Sequence, residues 1–591
     1  MKTLTALAAG LVMAVCLAPA SAAPDAGETR RLHELFDRRW EETARMAPEW
    51  ATFRGDRRYD ERLSDASPAG IAAQDEALRR SLAEARAIRR DRLGPVDQVS
   101  LDLFIDNAER FQAINAFEGW RRQSIASSFG FQSRFAGLLR AMPIDTPQHA
   151  GQALARMAAY PRRVDQEIER VRGAIALGWV APRSVLERAL QQIDAQLAAA
   201  PRDGPFFEPF RRPGAGIPAA ERDAWQRRAE QAIVEHVLPA QRRLRSFIAG
   251  ELLPVAPAAG GLLRYPDGAA VYAELVRQQT TTTLTPAQVH EIGLREMARL
   301  RGEFAAVQRA MKFEGTFAQF VAHLNGPQYK FASPEAMLEG YRSVAKRIDP
   351  EMPALFSELP RIPYGIRPMP AFMGAGAADN YNAPPADGSG PGWYNANILA
   401  YQRRARWALP TLVAHETVPG HHLQNARARE IGNLPEFRRH AWYPAYGEGW
   451  ALYAETLGER FGLYDAPEDR FGHLQAQAFR AARLVVDTGL HAKGWTREQA
   501  IDYMVREVGE SPLFVESEVD RYLSQPGQAL AYMVGKLKIV ELRDRAQTKL
   551  GARFDLRRFH NAVLDQGALP LTLLERYIDE WIAAQAAGAP G

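Results

Sequence analysis

From Thr29 onward the chain repeats one pattern, apolar residues at spacings of three and four with Arg and Glu on the opposite faces, and this restricts it to a mostly α fold. RRLHELFDRRWEETARM (30–46), VLERALQQIDAQLAAA (185–200) and AWQRRAEQAIVEHVLPAQRRLRSFIAGEL (224–252) are three such stretches. Thr285-Pro286 predicts a helix start, a capping residue followed by Pro at the first helical position. Pro/Gly-rich breaks at 201–219 and 254–268 read as inter-helix connections. The texture changes only between Pro360 and Asn397, where Pro, Gly and Asn are dense and short Tyr/Trp segments read as strands. No internal repeat is present. The expected class is mostly α, with a small β-sheet just before the best motif.

The N-terminus has three parts: Lys2, an uncharged apolar run from Leu4 to Leu17, and Ala20-Ser21-Ala22 ahead of Pro24. That is the pattern of a secretory signal peptide at 1–22, too short to span a membrane. The single cysteine, Cys16, lies inside it. Val15 precedes Cys16 where a lipoprotein anchor wants a small residue. No other run approaches the roughly 18 apolar residues of a membrane helix, so no integral membrane segment is expected after signal removal, and the protein reads as exported, periplasmic or secreted. One cysteine excludes a disulfide framework, a Cys-built zinc finger and an iron–sulfur cluster. Any metal site must be built from His, Asp and Glu. Lys+Arg 74 against Asp+Glu 70, mixed along the chain, argues against a nucleic-acid partner.

Three of the chain's 12 histidines stand in His415-Glu416-Thr417-Val418-Pro419-Gly420-His421-His422. In a zinc hydrolase with HExxH, two His at i and i+4 share a helix face and the Glu is the general base. Here i+4 is Pro419, which ligates nothing. On a regular helix His422 lies about 20° from His415 in projection but about 10.5 Å along the axis, and His421 falls about 120° off the face. Neither can join His415 on one ion with Zn–N bonds of about 2.1 Å. Pro419 removes a donor and Gly420 tolerates unusual dihedrals, so the pair can loop out two residues and bring His421 to the i+4 place. His421 is the expected second ligand. His422 is its competitor, or a group that supports a ligand from behind.

A third ligand is expected in Gly447-Glu448-Gly449-Trp450-Ala451-Leu452-Tyr453-Ala454-Glu455, where Glu448 and Glu455 share one face of an otherwise apolar helix. A carboxylate there is costly unless paired or metal-bound. Glu448 is assigned as ligand and Glu455 as the group that buttresses a ligand histidine. His290-Glu291 lacks the rest of the motif and reads as a surface His-Glu pair on a helix.

HETVPGHHLQ followed by GEGWALYAE resembles an HExxPGHH-bearing bacterial family known as a domain of unknown function (number eight-eight-five), placed with the gluzincin-type zinc peptidases. The likeness extends through RLVVDTGLHAKGW (483–495) and RYLSQPGQALAYMVGK (521–536), and upstream to YNAPPADGSGPGWYNAN (381–397) and MAPEWATFRGDRRYDERL (46–63). GEGWALYAE is also similar to the segment carrying the third zinc ligand in related aminopeptidases. A Gly directly before the second His ligand in thimet-type oligopeptidases and dipeptidyl-peptidase III favours His421. The resemblance implies Zn²⁺, a peptide substrate, and a large helical fold with a deep cleft and small strands lining the site. It makes PGWYNAN a candidate edge strand for pairing with substrate. The expected organisation is 23–355 as a helical region on one side of the cleft and 356–591 as the catalytic region.

Donors to a tetrahedral oxyanion are sought among His491, Tyr522 and Tyr532, with His491 and Tyr532 preferred. Asp487 is a candidate to orient a ligand His, and Arg521 and Lys536 to bind a substrate carboxylate. The reading is an exported zinc metallopeptidase with ligands His415, His421 and Glu448 and general base Glu416. Two rivals stand beside it: a zinc amidase or esterase on a non-peptide substrate, and a non-catalytic binding protein on a degenerate peptidase scaffold.

Overall fold

The amphipathic stretches are helices: Ala26–Met46, Arg183–Ala198, and Ala219–Ala232 running on through Leu238–Phe247. The computed structural model describes residues 24–588 apart from 128–129, 259, 370–378, 386–389 and 433. The expected signal peptide and Cys16 lie outside the described residues. Thr285 caps the helix Pro286–Ala310: its hydroxyl accepts from the Gln288 N–H at 3.3 Å, and the Gln288 side chain accepts from the Thr285 N–H at 2.9 Å. This reciprocal pairing satisfies two amides that the first turn leaves without partners.

Three apolar cores organise the helices. One is confined to residues 125–252, and a small one joins residues between Leu32 and Phe104. The largest is shared by the helices from Gly268 to Leu355 and those after Ile366. The expected boundary at 355–356 therefore does not coincide with a break between cores. Within the large core Pro286–Ala310 packs along Pro467–Ala492, and Pro444–Leu457 along Ala531–Leu550. His290 lies in the first of these contacts, 5% exposed and bonded through Nδ1 to Thr488 Oγ1 at 2.7 Å, so the expected surface position is corrected. Its place on the apolar stripe facing the next helix overrides its polarity.

Gly449 and Gly535 let the second pair of helices touch backbone to backbone. A Cβ on Gly535 would lie 1.8 Å from the Ala445 carbonyl oxygen and 2.7 Å from Gly449 Cα. Gly535→Ala is expected to force the helices apart and destabilise the protein by about 3 kcal/mol or more. Urea denaturation measures this; an unchanged midpoint would show that the crossing is looser than described.

The sheet has three strands, β1 (Tyr364–Pro368), β2 (Asn380–Asn382) and β3 (Gly392–Ala396), in the order β1-β3-β2. β3 runs parallel to β1, with Ile366 opposite Tyr394, and antiparallel to β2, with Tyr381 opposite Tyr394. PGWYNAN thus supplies the central strand, and its expected role as a free edge is corrected: hydrogen bonding on both sides leaves it none. Asp379, just before β2, accepts from the hydroxyls of Tyr341 (2.8 Å) and Tyr394 (2.6 Å) and from the Asn397 N–H (2.9 Å), and pairs with Arg404. It ties the β2 edge to the helical core.

Candidate metal centre

Regular helix geometry fails across the motif, and the chain resolves it by breaking the helix rather than looping out two residues. One helix, Leu409–Glu416, ends at the general-base candidate, and a second, His421–Glu430, starts at the second histidine. Between them Val418–Pro419 is cis, and Trp450 Nε1 donates to the Pro419 carbonyl at 2.9 Å. Gly420 packs onto the end of the first helix, where a Cβ would sit 2.0 Å from the His415 carbonyl oxygen. Only glycine allows this approach. His415 and His421 thereby meet with ring centroids 4.8 Å apart and planes at 87°.

Glu448, on the helix Pro444–Leu457, reaches both. Its Oε2 lies 3.7 Å from His415 Nε2 and 3.3 Å from His421 Nε2, and one ligand atom from each of the three residues falls within 4.8 Å of the others. Ligands about 2.1 Å from a tetrahedral zinc are separated by about 3.4 Å, so the donor set fits such an ion in kind and spacing. Burial opposes protonation of His415, but hydrogen bonds to Glu448 and Glu455 outweigh it and raise the imidazole to about 9. Burial likewise opposes ionisation of Glu448, yet hydrogen bonds from both histidines and their charge hold its carboxyl well below the usual range.

Behind His415 runs a polar relay. His415 Nδ1 meets Glu455 Oε1 at 2.8 Å, Gln477 Nε2 donates to Glu455 Oε2 at 2.8 Å, and Lys536 Nζ donates to Gln477 Oε1 at 2.6 Å. With Nδ1–H donated to Glu455, the proton that His415 gives up to an ion is the one on Nε2, and the lone pair left there would face the site. Lys536 is therefore committed behind the centre, and its expected contact with substrate is corrected. Replacing Glu455 by Gln is expected to lower zinc affinity by about 10–100-fold with the fold retained, as read by competition with a chelator. Unchanged affinity would leave Glu455 a packing residue.

His422 faces away. Its Nδ1 is 2.9 Å from the Tyr381 hydroxyl and its Nε2 3.0 Å from the Ile362 carbonyl, so both nitrogens are occupied, and burial lowers it to about 4. Glu416 is half-buried at the end of its helix, and burial, opposed by His415 and His421, raises its carboxyl above the ordinary value. Tyr532 stays near the cluster: burial, then the Glu448 charge, raises its phenol, and Arg483 lies 4.6 Å over its ring.

His491 is not brought to the cluster. It is 1% exposed, its Nδ1 accepts from the Leu262 N–H at 3.2 Å, and its Nε2 donates to the Tyr522 carbonyl at 3.1 Å. It lies about 21 Å along its helix from Gln477, at 1.5 Å per residue. With both nitrogens bonded to backbone it has no proton to offer an oxyanion, so that expectation is corrected. Asp487 accepts instead from the Tyr272 hydroxyl (2.6 Å) and the Gly527 N–H (3.0 Å), not from a ligand histidine. Tyr522 donates to Glu518 at 2.9 Å, and Arg521 pairs with the same carboxylate at 2.9 Å.

Burial lowers both His491 and His560 to about 4, from 6.5. Above pH 6.5 both are neutral folded or unfolded and contribute no slope. Between 6.5 and 4 the unfolded chain takes up protons that the folded one refuses, so stability falls as the pH falls. Each group costs about 3 kcal/mol once the pH is below 4. Urea titrations at steps from pH 7 to pH 4 are expected to show a decline, reduced by Asp487, whose carboxyl burial raises to about 7 so that it takes up its proton first in the folded chain; a profile that His560→Gln leaves unchanged would show that this imidazole protonates within the fold.

Tyr381, Gln477 and Trp450 carry no assigned role in the sequence and reach His422, Glu455 and Pro419 through tertiary packing. Only the density of aromatic and amide side chains around the motifs hinted at them.

A family model described as "Bacterial protein of unknown function (DUF885)" matches residues 48–578. No curated protein matches the chain significantly. Among solved structures, a candidate lipoprotein from Colwellia psychrerythraea is similar at a TM-score of 0.88 and 28% identity, over 94% of this chain and 99% of that one. A candidate lipoprotein of unknown function from Shewanella oneidensis is similar at a TM-score of 0.72 and 19% identity, over 92% and 99%. Trypanosoma cruzi metallocarboxypeptidase 1 aligns at a TM-score of 0.32 and 12% identity, over 95% and 96%.

Proposed function

The chain belongs to the family described as bacterial protein of unknown function (DUF885), and since that description leaves the activity open we propose, from the site itself, that it is an exported zinc-dependent hydrolase cleaving peptides. The observation that carries this reading is the meeting of His415, His421 and Glu448, with the Glu416 carboxylate in their field but outside the converging set. The three ligands would hold Zn²⁺. When bound, the ion supplies Lewis acidity that lowers the pKa of water toward about 7 and polarises an amide carbonyl.

The rest is the work of the chain's own side chains. Glu416, its carboxyl raised by burial, accepts the proton of the attacking water and returns it to the leaving amine. Tyr532, kept protonated, donates its phenolic hydrogen toward the carbonyl oxygen as negative charge develops there. Glu455, Gln477 and Lys536 hold His415 in one tautomer. β2 is an edge of the sheet next to the motif and offers backbone groups to an extended peptide.

Export is read from the N-terminal leader pattern, and no helix among the described residues is long and apolar enough to cross a membrane. The test combines elemental analysis of purified protein with digestion of a peptide library and a panel of acyl amides. One zinc per chain with peptide cleavage is the expected result. No zinc and no turnover would leave the binding-protein reading, and turnover of the acyl amides alone the amidase reading.

A further inference from the structure

Trp442, half-exposed and with its ring 6.2 Å from that of His421, also lines a cavity of about 270 Å³ beside the metal centre. The lining of this cavity holds four arginines and no carboxylate. Two of them are engaged elsewhere. Arg438 donates to Ser100 Oγ (3.0 Å) and the Gln566 carbonyl (2.6 Å), and Arg439 to the Leu434 carbonyl (3.1 Å) with Glu436 at 3.8 Å.

Arg54 and Arg429 differ. Arg54 donates to the Trp50 carbonyl at 3.3 Å, and its Nε is buried with no partner among the described residues. Arg429 Nη1 leans on the Arg439 carbonyl (3.2 Å) and on His440 Nδ1 (3.4 Å). Neither guanidinium forms an ion pair among the described residues, although each is half-buried and each lies within the other's field. Burial, and then Arg429, Arg54 and Arg439, push His440 down to about 4, although the half-exposed Glu436 lies 3.7 Å from its Nε2. Glu436, half-exposed and 3.8 Å from Arg439, offsets this charge only from the rim, and two half-buried cations without a carboxylate in contact are costly, so an anion between them relieves that cost. Planar guanidinium forks match a carboxylate with parallel N–H···O bonds.

The placement relates this cavity to the reaction. Arg429 follows His421 on one helix by about 12 Å of rise, and its side chain tilts back toward the helix start, where His421 stands. An extended peptide covers about 3.3–3.6 Å per residue, so a carboxylate at the arginines sets a bond roughly one to three residues away beside His421. Arg54 comes from the end of the helix Pro48–Phe53, far away in sequence, and completes the cavity over the catalytic helices.

We propose that Arg54 and Arg429 form a subsite for the free C-terminal carboxylate of a short peptide, so that hydrolysis falls close to the carboxyl end. The cleavage rests on the hydrolase reading; the binding does not. The test uses zinc-loaded Glu416→Gln protein and two probes, trialanine and its C-terminal amide, measured by calorimetry. The acid form is expected to bind at least about tenfold more tightly, and this preference to collapse in Arg429→Gln and in Arg54→Gln made in the same background. Equal binding of acid and amide overturns the proposal, as does failure of the acid form to bind at millimolar concentration. An acid preference that survives both arginine substitutions assigns the carboxylate to the metal centre and overturns it equally. The unsubstituted enzyme should also turn over the acid at least about tenfold faster in kcat/KM. Cleavage of both probes at one rate sinks the subsite alone, whereas acid-selective binding without cleavage of either sinks the hydrolase reading alone.

Discussion

Glu416→Gln protein is expected to keep its zinc and lose peptide hydrolysis by about 10²–10⁴-fold in kcat. Glutamine preserves the shape and the hydrogen-bonding length of the side chain but cannot take a proton from water. Glu416 ends the first helix beside His415 and is not one of the three residues whose ligand atoms converge, so its removal leaves the donor set whole. Elemental analysis and single-turnover rates measure the two halves of this prediction separately. Retained turnover with retained zinc would remove Glu416 as the base. Lost zinc would show that its charge helps to hold the ion, and the role would need reassignment.

The second large effect separates adjacent histidines. His421→Ala is expected to cost zinc affinity well beyond the 10–100-fold typical of supporting residues, because it removes one of three ligands. His422→Ala is expected to keep stoichiometric zinc. Its ring joins the Tyr381 hydroxyl to the Ile362 carbonyl, so the loss falls on the strand edge and on stability. With a half-buried acceptor and a half-buried donor left unpaired, about 1 kcal/mol is the expected scale. Chelator competition on both variants reads the contrast. If His422→Ala loses the metal and His421→Ala keeps it, the assignment of ligands is inverted.

The two histidines illustrate how much the motif disclosed. His-Glu followed by Pro-Gly-His-His marked a candidate metal site and argued against one continuous helix, since Pro419 occupies the place of a ligand. The way round that obstacle is a property of the backbone path. The helix stops at Glu416 and restarts at His421, a break made possible by a glycine packed onto a carbonyl and an indole bonded to Pro419. His491 shows the opposite error. A histidine among polar residues on an apolar helix looks functional in sequence, yet two backbone groups from distant segments consume both its nitrogens.

What the sequence by itself determined is the local order: amphipathic helices, their caps, the one irregular stretch, and which imidazoles and carboxylates are available for a metal. Those features depend on neighbours within a turn or two, and periodicity reports them directly. The tertiary structure alone decided which strand is central, which histidine turns inward, that Lys536 stands behind the site, and that Arg54 joins Arg429 in one cavity. Each of these is a contact between segments far apart in the chain. Its geometry is set by how helices cross and cores fill, which no short window of residues contains.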